Sequence, residues 1–255
     1  VTILQALLLG IIQGLTEFFP VSSSGHLQLF QYFFGLENLQ NYIVFDLICH
    51  LGTLCAILLI YRKKISALFF GETARLKQIV IATLPLFPIV FILKKVEDLF
   101  DKPQYLGPFF LATAAILYAG IRLGTEKKSS EIKKHKNGDA LKIGLLQTVA
   151  LLPGISRSGI TITGARLLGW STQEAVTFSF LLAIPAILGG VCLKTLQLAI
   201  RLEKHPEFLH ISHYLAGFIS SFLVGSGTLI ALIRLASKEK FMYFVWYCLL
   251  LGLAV

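Results

Sequence analysis

The sequence predicts an all-α integral membrane protein: six transmembrane helices plus two re-entrant helix pairs, arranged as an inverted-topology repeat. Three observations lead there. Of 255 residues, 55% are apolar and only 15% are charged, and the mean hydropathy is +0.75, far from the balance of a soluble domain. The apolar residues gather into segments of roughly membrane-crossing length. Two further apolar stretches are each broken at a cluster of proline, serine and glycine, at related positions in the two halves of the chain.

Charge narrows the class of partner. The net charge is +9 and the pI about 9.4, yet the basic residues sit in short runs between apolar segments. That is the pattern of cytoplasmic loops, so the expected partner is a lipid bilayer and not nucleic acid. Cys49, Cys55, Cys192 and Cys248 lie in apolar segments without CxxC spacing and read as free buried thiols. The first twenty residues lack a basic n-region and do not read as a cleavable signal peptide.

Taken in order, residues 1–19 are apolar but interrupted by Gln5, Gly10, Gln13 and Glu17, and Pro20 stops them. A short helix over 24–34 follows. Two short helices joined at Pro20-Val-Ser22-Ser23-Ser24-Gly25 read as a re-entrant pair, because broken backbone at membrane depth survives only against protein or a wet cavity. Six crossings are expected at 43–61, 79–93, 105–122, 176–199, 214–235 and 241–255. The second is short, so Lys94 and Lys95 would have to snorkel. Between the third and fourth, stretches 140–152 and 159–170 flank Pro153-Gly154-Ile155-Ser156-Arg157-Ser158 as a second re-entrant pair.

The two broken stretches align at an offset of 134: Gly10 and Gln13 match Gly144 and Gln147, and Ser22, Ser24 and Gly25 match Ser156, Ser158 and Gly159. Pro20 and Pro153 are out of step by one residue, and Phe45 and Phe178 lie 133 apart. The reading is one transmembrane domain over 1–255, with halves at about 1–122 and 140–255 and a cytoplasmic linker at about 123–139. Loops 62–78, 122–142 and 234–240 carry 5, 7 and 3 lysines or arginines, 15 in all. Loops 37–42, 94–104 and 194–213 carry 0, 3 and 3, or 6. The positive-inside rule therefore puts the first set in the cytoplasm, the first re-entrant pair entering from outside and the second from the cytoplasm.

Polar groups in such a chain call for a reason, since a charge inside the bilayer costs from about 2.5 kcal/mol upward. Each break delivers a loop into a helix N-terminus, where free N–H groups and the helix dipole favour anions. Arg157, beside Ser156, Ser158 and Thr161, suits the charge and acceptor geometry of a phosphate, or it serves as the charge partner of Glu17. Gln13 and Glu17, four apart, share one helix face. Glu17 could hold a divalent ion, with Gln13 as a second oxygen ligand, activate a hydroxyl, or take a proton. Ser23 and His26, three apart, could orient each other or share a phosphate. Asp46 and His50 form a second i, i+4 pair that lines the same cavity or is satisfied elsewhere.

Together, Gln13-Gly-Leu-Thr-Glu17-Phe-Phe-Pro20-Val-Ser22-Ser23-Ser24-Gly25-His26 and Pro153-Gly-Ile-Ser156-Arg157-Ser158-Gly159-Ile-Thr161 closely resemble the undecaprenyl-diphosphate phosphatase family, also called the bacitracin resistance protein family. The resemblance extends over nearly the whole chain. It implies a multi-pass hydrolase of the bacterial cell (inner) membrane, with its site facing the periplasm or exterior. Such a hydrolase removes the terminal phosphate of a polyprenyl (undecaprenyl) diphosphate to regenerate the lipid carrier of peptidoglycan synthesis. It also implies a divalent cation, Mg2+ or Ca2+, and a capacity to form a homodimer. By the same resemblance Glu17, Ser23, His26 and Arg157 are catalytic, and Gln13, Ser22, Ser24, Gly25, Ser156, Ser158, Gly159 and Thr161 bind substrate. Gln13 stands where a second glutamate is frequent, and His50 where a glutamine is usual. Two routes stay open: Ser23 as nucleophile with Glu17 or His26 as base, or direct attack by water. The competing class is a transporter or flippase of a lipid phosphate or small anion, since broken helices in inverted repeats also build transporters.

Overall fold

The computed structural model describes residues 1–36, 42–89, 103–124, 135–200, 209–237 and 240–255. Most of loops 94–104 and 37–42, the middle of the 123–139 linker, part of 194–213 and residues 238–239 lie outside them, as do the last four residues, 90–93, of the crossing expected at 79–93. The described residues are helical, with no strand. In order they form α1 (Ile3–Phe18), α2 (Ser23–Phe33), α3 (Ile43–Ile60), α4 (Arg62–Phe70), α5 (Thr73–Thr83), α6 (Leu106–Leu123), α7 (Asn137–Gln147), α8 (Arg157–Leu167), α9 (Thr172–Ile200), α10 (Ile211–Ser237) and α11 (Met242–Ala254). Four of these, α3, α6, α9 and α10, are long and apolar enough to cross a membrane.

Two expected crossings differ. The segment 79–93 is not one helix: α5 begins earlier and ends at Thr83, and the chain turns at 84–85 before becoming helical again over 86–89. Pro85 and Pro88 remove backbone donors there, which breaks the helical ladder. The last segment forms a 13-residue helix, α11, about 20 Å long at 1.5 Å per residue, less than the ~30 Å of a bilayer core.

Both interrupted stretches break for the same local reason. A residue before proline is pushed out of the helical region. Phe19, ahead of Pro20, has ψ 139, and Leu152, ahead of Pro153, has ψ 129. α1 is started by a capping box between Thr2 and Gln5. α2 and α8 are started by serines, Ser22 accepting from the Gly25 N–H and Ser156 from the Gly159 N–H. The boundaries keep the offset of the sequence alignment: α1 and α7 begin at residues 3 and 137, α2 and α8 at 23 and 157, and each member of the second pair has 11 residues.

Packing follows small residues. α1 lies against α10, which also packs on α3. α7 lies against α5, and α6 against α11. Gly10 and Gly14 of α1 face Gly217, Ser221 and Gly225 of α10, and Gly107 of α6 faces Gly252 of α11. Small residues four apart let helix backbones approach closely, which replaces the hydrophobic drive that lipid cannot supply. The main core, including Phe18, Phe180, Leu182 and Trp170, runs between the halves, with Phe18 and Phe180 packed edge to face at 5.6 Å. Large apolar side chains such as Phe33, Phe70 and Leu253 point outward, as suits a chain whose surroundings are lipid.

A Cβ at Gly14 would stand 2.8 Å from the Gly225 nitrogen and 2.9 Å from the Ser221 oxygen, both backbone atoms. Gly14→Val is therefore expected to force α1 and α10 apart at a cost of about 1–3 kcal/mol. The check is the thermal midpoint in detergent, which would stay at the wild-type value only if these helices were not held this close.

Candidate active site

The two breaks meet. Gly25, the third residue of α2, is so close to Gly154 that a Cβ on it would lie 2.9 Å from the Gly154 Cα. α6 fastens the second break from behind. The Thr113 hydroxyl donates to the Gly154 carbonyl at 2.9 Å and accepts the Ser156 N–H at 3.1 Å. Across the junction Ser158 Oγ donates to the Phe19 carbonyl at 3.4 Å.

The backbones of the two breaks differ, which accounts for prolines that are one residue out of step. Gly154 takes the left-handed turn in the second break (φ 92), whereas in the first that conformation falls on Ser22 (φ 72). A non-glycine residue held there stores roughly 1–3 kcal/mol of strain, a cost typical of functional sites. The serines nevertheless repeat: Ser22 Oγ lies 3.4 Å from Ser24 Oγ, and Ser156 Oγ 3.2 Å from Ser158 Oγ.

Where the frames coincide, Ser23 and Arg157 occupy the same position, and both grip one carboxylate. Ser23 Oγ donates to Glu17 Oε2 at 2.6 Å, and Arg157 Nη2 donates to Glu17 Oε1 at 2.8 Å. Gln13 Nε2 adds a third bond, to Oε2 at 3.1 Å, one helical turn back as the spacing predicts. His50 Nε2 stands 3.8 Å from Oε2. Since the Asp46 carbonyl can only accept, the 2.7 Å contact of His50 Nδ1 to it places the neutral ring's proton on Nδ1. Arg157 Nη1 is buried without a partner among the described residues.

This cluster lies on the wall of a cavity of about 400 Å³, towards the lower end of ligand sites of roughly 300–1,000 Å³. Glu17, Ser22, Ser23, Ser24, Ser156, Arg157 and Ser158 line it. The other predicted residues stand behind the wall. Gln13 orients Glu17, and the Gly25 and Gly159 amides complete helix caps. Thr161 ties α8 to α9 through Ser179 at 2.7 Å. His26 is 2% exposed, its Nδ1–H donates to the Ser22 carbonyl at 2.7 Å, and its Nε2 accepts from Tyr247 at 2.7 Å. It also stacks on Tyr247 and meets the edge of Phe110.

Of the two places left open for Asp46 and His50, the structure shows the first, and polar residues outside the two motifs line the cavity beside them. Gln28 and Gln31 of α2, Gln147 of α7 and Lys194 of α9 line it, together with Asp46 and His50. Gln31 Nε2 donates to Asp46 at 2.8 Å. Helical spacing held the signal for two of them, since Gln28 and Gln31 follow Ser24 by four and seven residues on one face. For Gln147 the signal was the alignment with Gln13.

Fold and site together define a multi-pass membrane protein whose polar centre, two helix N-termini and an arginine around a buried carboxylate, is suited to a phosphorylated ligand. Comparison with known proteins agrees. The family model described as Bacitracin resistance protein BacA matches residues 6–254. An undecaprenyl-diphosphatase of Protochlamydia amoebophila is 51% identical over 99% of this chain and 97% of its own length. Undecaprenyl-diphosphatases of Carboxydothermus hydrogenoformans and Desulfosudis oleivorans are 39% and 36% identical, over 98% of this chain in each case and 95% and 96% of their own lengths. The chain belongs to the bacitracin resistance protein BacA family.

The Glu17 and Arg157 side chains are 5% and 17% exposed, and removing one member of a buried ion pair typically costs about 3–5 kcal/mol. With Ser23 and Gln13 still bonded to Glu17, Arg157→Met should fall at the lower end of that range. The double variant Glu17→Gln with Arg157→Met is expected to melt closer to wild type than Arg157→Met alone. A double variant that melts lower still would mean that the pair is not what couples the two breaks.

Proposed function

We propose that this protein is an undecaprenyl-diphosphate phosphatase. It hydrolyses the terminal phosphate of a polyprenyl diphosphate and leaves the monophosphate carrier used in peptidoglycan synthesis. The observation that carries this reading is the convergence of Ser23 and Arg157 on Glu17 at the cavity wall, in a chain closely similar over its length to proteins named undecaprenyl-diphosphatase. The same relatives favour a hydrolase over a transporter.

In this reading the diphosphate enters between the N-termini of α2 and α8, and the prenyl tail stays among lipid. Arg157, with Nη1 unengaged, takes phosphate oxygens alongside the serines and helix-end amides. Ser23 Oγ attacks the terminal phosphorus as Glu17 accepts its proton. The bond to the bridging oxygen breaks, and the prenyl monophosphate leaves. Water then attacks the phosphoserine phosphorus, Glu17 returns its proton to the departing Ser23 oxygen, and the hydrogens of the water leave with inorganic phosphate or to solvent. Glu17 is favoured as base over His26 because it already holds the Ser23 proton at 2.6 Å, whereas both nitrogens of His26 are engaged behind the wall. Fixed positive groups aimed at the transferring phosphoryl are the main source of rate in such reactions.

The donor set fits Mg2+ or Ca2+ in a limited way. Among the described residues no three acidic, histidine or cysteine side chains gather to hold an ion. Glu17 would supply one oxygen and phosphate and water the rest, as Mg2+ sites commonly do. Gln13 acts through Glu17, though its Oε1 is buried and without a partner among the described residues. When bound, the cation would neutralise phosphate charge.

The architecture proposed is six crossings and two re-entrant pairs in inverted halves. Matching helix starts support it, as does the way the first member of each pair, α1 or α7, packs on a helix of the other half, α10 or α5. The site is proposed to face the periplasm or exterior of the bacterial inner membrane. The cavity is lined by the first turns of α3 and by residues 186–194 in the second half of α9, towards the loops with few basic residues.

The test is release of inorganic phosphate from a prenyl diphosphate by purified protein with Mg2+ and with chelator. Wild type should turn over. Arg157→Ala should lose about 10²–10³-fold in kcat, Ser23→Ala and Glu17→Ala at least as much, and acid quenching should trap phosphate on Ser23. Substantial turnover by Ser23→Ala would shift the nucleophile to water, and an inactive, well-folded wild type would overturn the phosphatase reading.

A further inference from the structure

Gln147, the last residue of α7, has no place in the reaction as described above. It is 1% exposed and lines the cavity. Neither Nε2 nor Oε1 has a hydrogen-bond partner among the described residues. A buried carboxamide with both ends unmade is costly, and more so at membrane depth, where lipid offers nothing in return. Such groups in native proteins call for a ligand or ordered water as explanation.

The internal alignment supplies the reason it is unengaged. Gln147 matches Gln13 at the offset of 134, and Gln13 spends its Nε2 on Glu17, four residues on. Four residues after Gln147 the chain has Leu151, in a 3-10 segment, so the second half keeps the amide without the carboxylate that would engage it. An α7 built on the same plan therefore presents a donor to the cavity that Arg157 and Ser23 share.

We infer that Gln147 is a substrate-contacting residue: its Nε2 donates to a non-bridging oxygen of the bound diphosphate, and its Oε1 accepts from water beside the headgroup. This rests on the phosphatase reading and adds a neutral donor from the second helix pair to the charged grip of Arg157. A neutral donor suits that place because it adds no net charge to an ion pair already made by Glu17 and Arg157.

Gln147→Met keeps the volume and removes both polar atoms, and Gln147→Glu keeps the shape and adds a charge that repels phosphate. A hydrogen bond to a charged group is worth about 10- to 100-fold, so Gln147→Met is expected to lower kcat/KM by that factor and Gln147→Glu by more. The thermal midpoint of substrate-free Gln147→Met should equal or exceed that of wild type, since an unmade polar pair has been removed from the interior. Its shift on adding a prenyl methylenediphosphonate, a non-hydrolysable headgroup, should shrink. A Gln147→Met protein that melts lower yet keeps wild-type kcat/KM and the full shift would overturn the inference, leaving a structural amide held by water, while the phosphatase reading stands on wild-type turnover. Wild type with neither turnover nor a shift would overturn both.

Discussion

The Glu17 carboxylate, held by Ser23 at 2.6 Å and Arg157 at 2.8 Å, is the constraint on which the rest of the structure depends. A buried carboxylate is tolerable only when charge and hydrogen bonds surround it, and its partners here lie 6 and 140 residues from it in sequence. For both to reach it, two helices must stop and their breaks must touch. That requirement explains Pro20 and Pro153, the contact of Gly25 with Gly154, and the fastening of the second break by Thr113. It also explains why α1 is seated on α10 through glycines, which fixes Glu17 in depth and rotation.

The halves share a frame and differ where chemistry needs them to. Serine caps recur at Ser22 and Ser156 and the serine pairs recur beside them, so each break offers the same polar start to a helix. Between the paired serines one half has a hydroxyl and the other a guanidinium. One turn beyond the shared glutamine, one half has Glu17 and the other Leu151. A symmetric site would carry two acids or two bases of like charge in contact. The departures give instead one acid, one cation and one hydroxyl on a common centre.

The cavity is suited to a headgroup rather than to a whole lipid. Its volume of about 400 Å³ is lined by the polar breaks and also by apolar side chains, Ile43, Leu47, Ile187 and Val191 of α3 and α9. Phosphate oxygens and their counter-charges can leave water there, whereas a long prenyl chain is satisfied by the bilayer. His26, turned to Tyr247 and Phe110, braces the start of α2 from the far side of the wall.

Much of this was legible in the chain itself. Apolar content fixed the membrane class, proline and serine fixed where the broken helices stop and start, and the four-residue spacing of Gln13 and Glu17 put them on one face, because these are local properties of backbone and period. The length of the crossings was less legible, since the break at 84–85 depends on prolines whose effect in apolar helices varies with their neighbours. Which motif residues face the cavity was decided only by tertiary structure. His26 and Thr161 carry the right chemistry and are turned to Tyr247 and Ser179, while His50 and Gln147 enter from other helices and Gln31 from the far end of α2. Sequence determined which groups this protein has and where its helices break. The rotation of each helix about its axis, set by close glycine contacts between distant segments, decided which of those groups share one carboxylate.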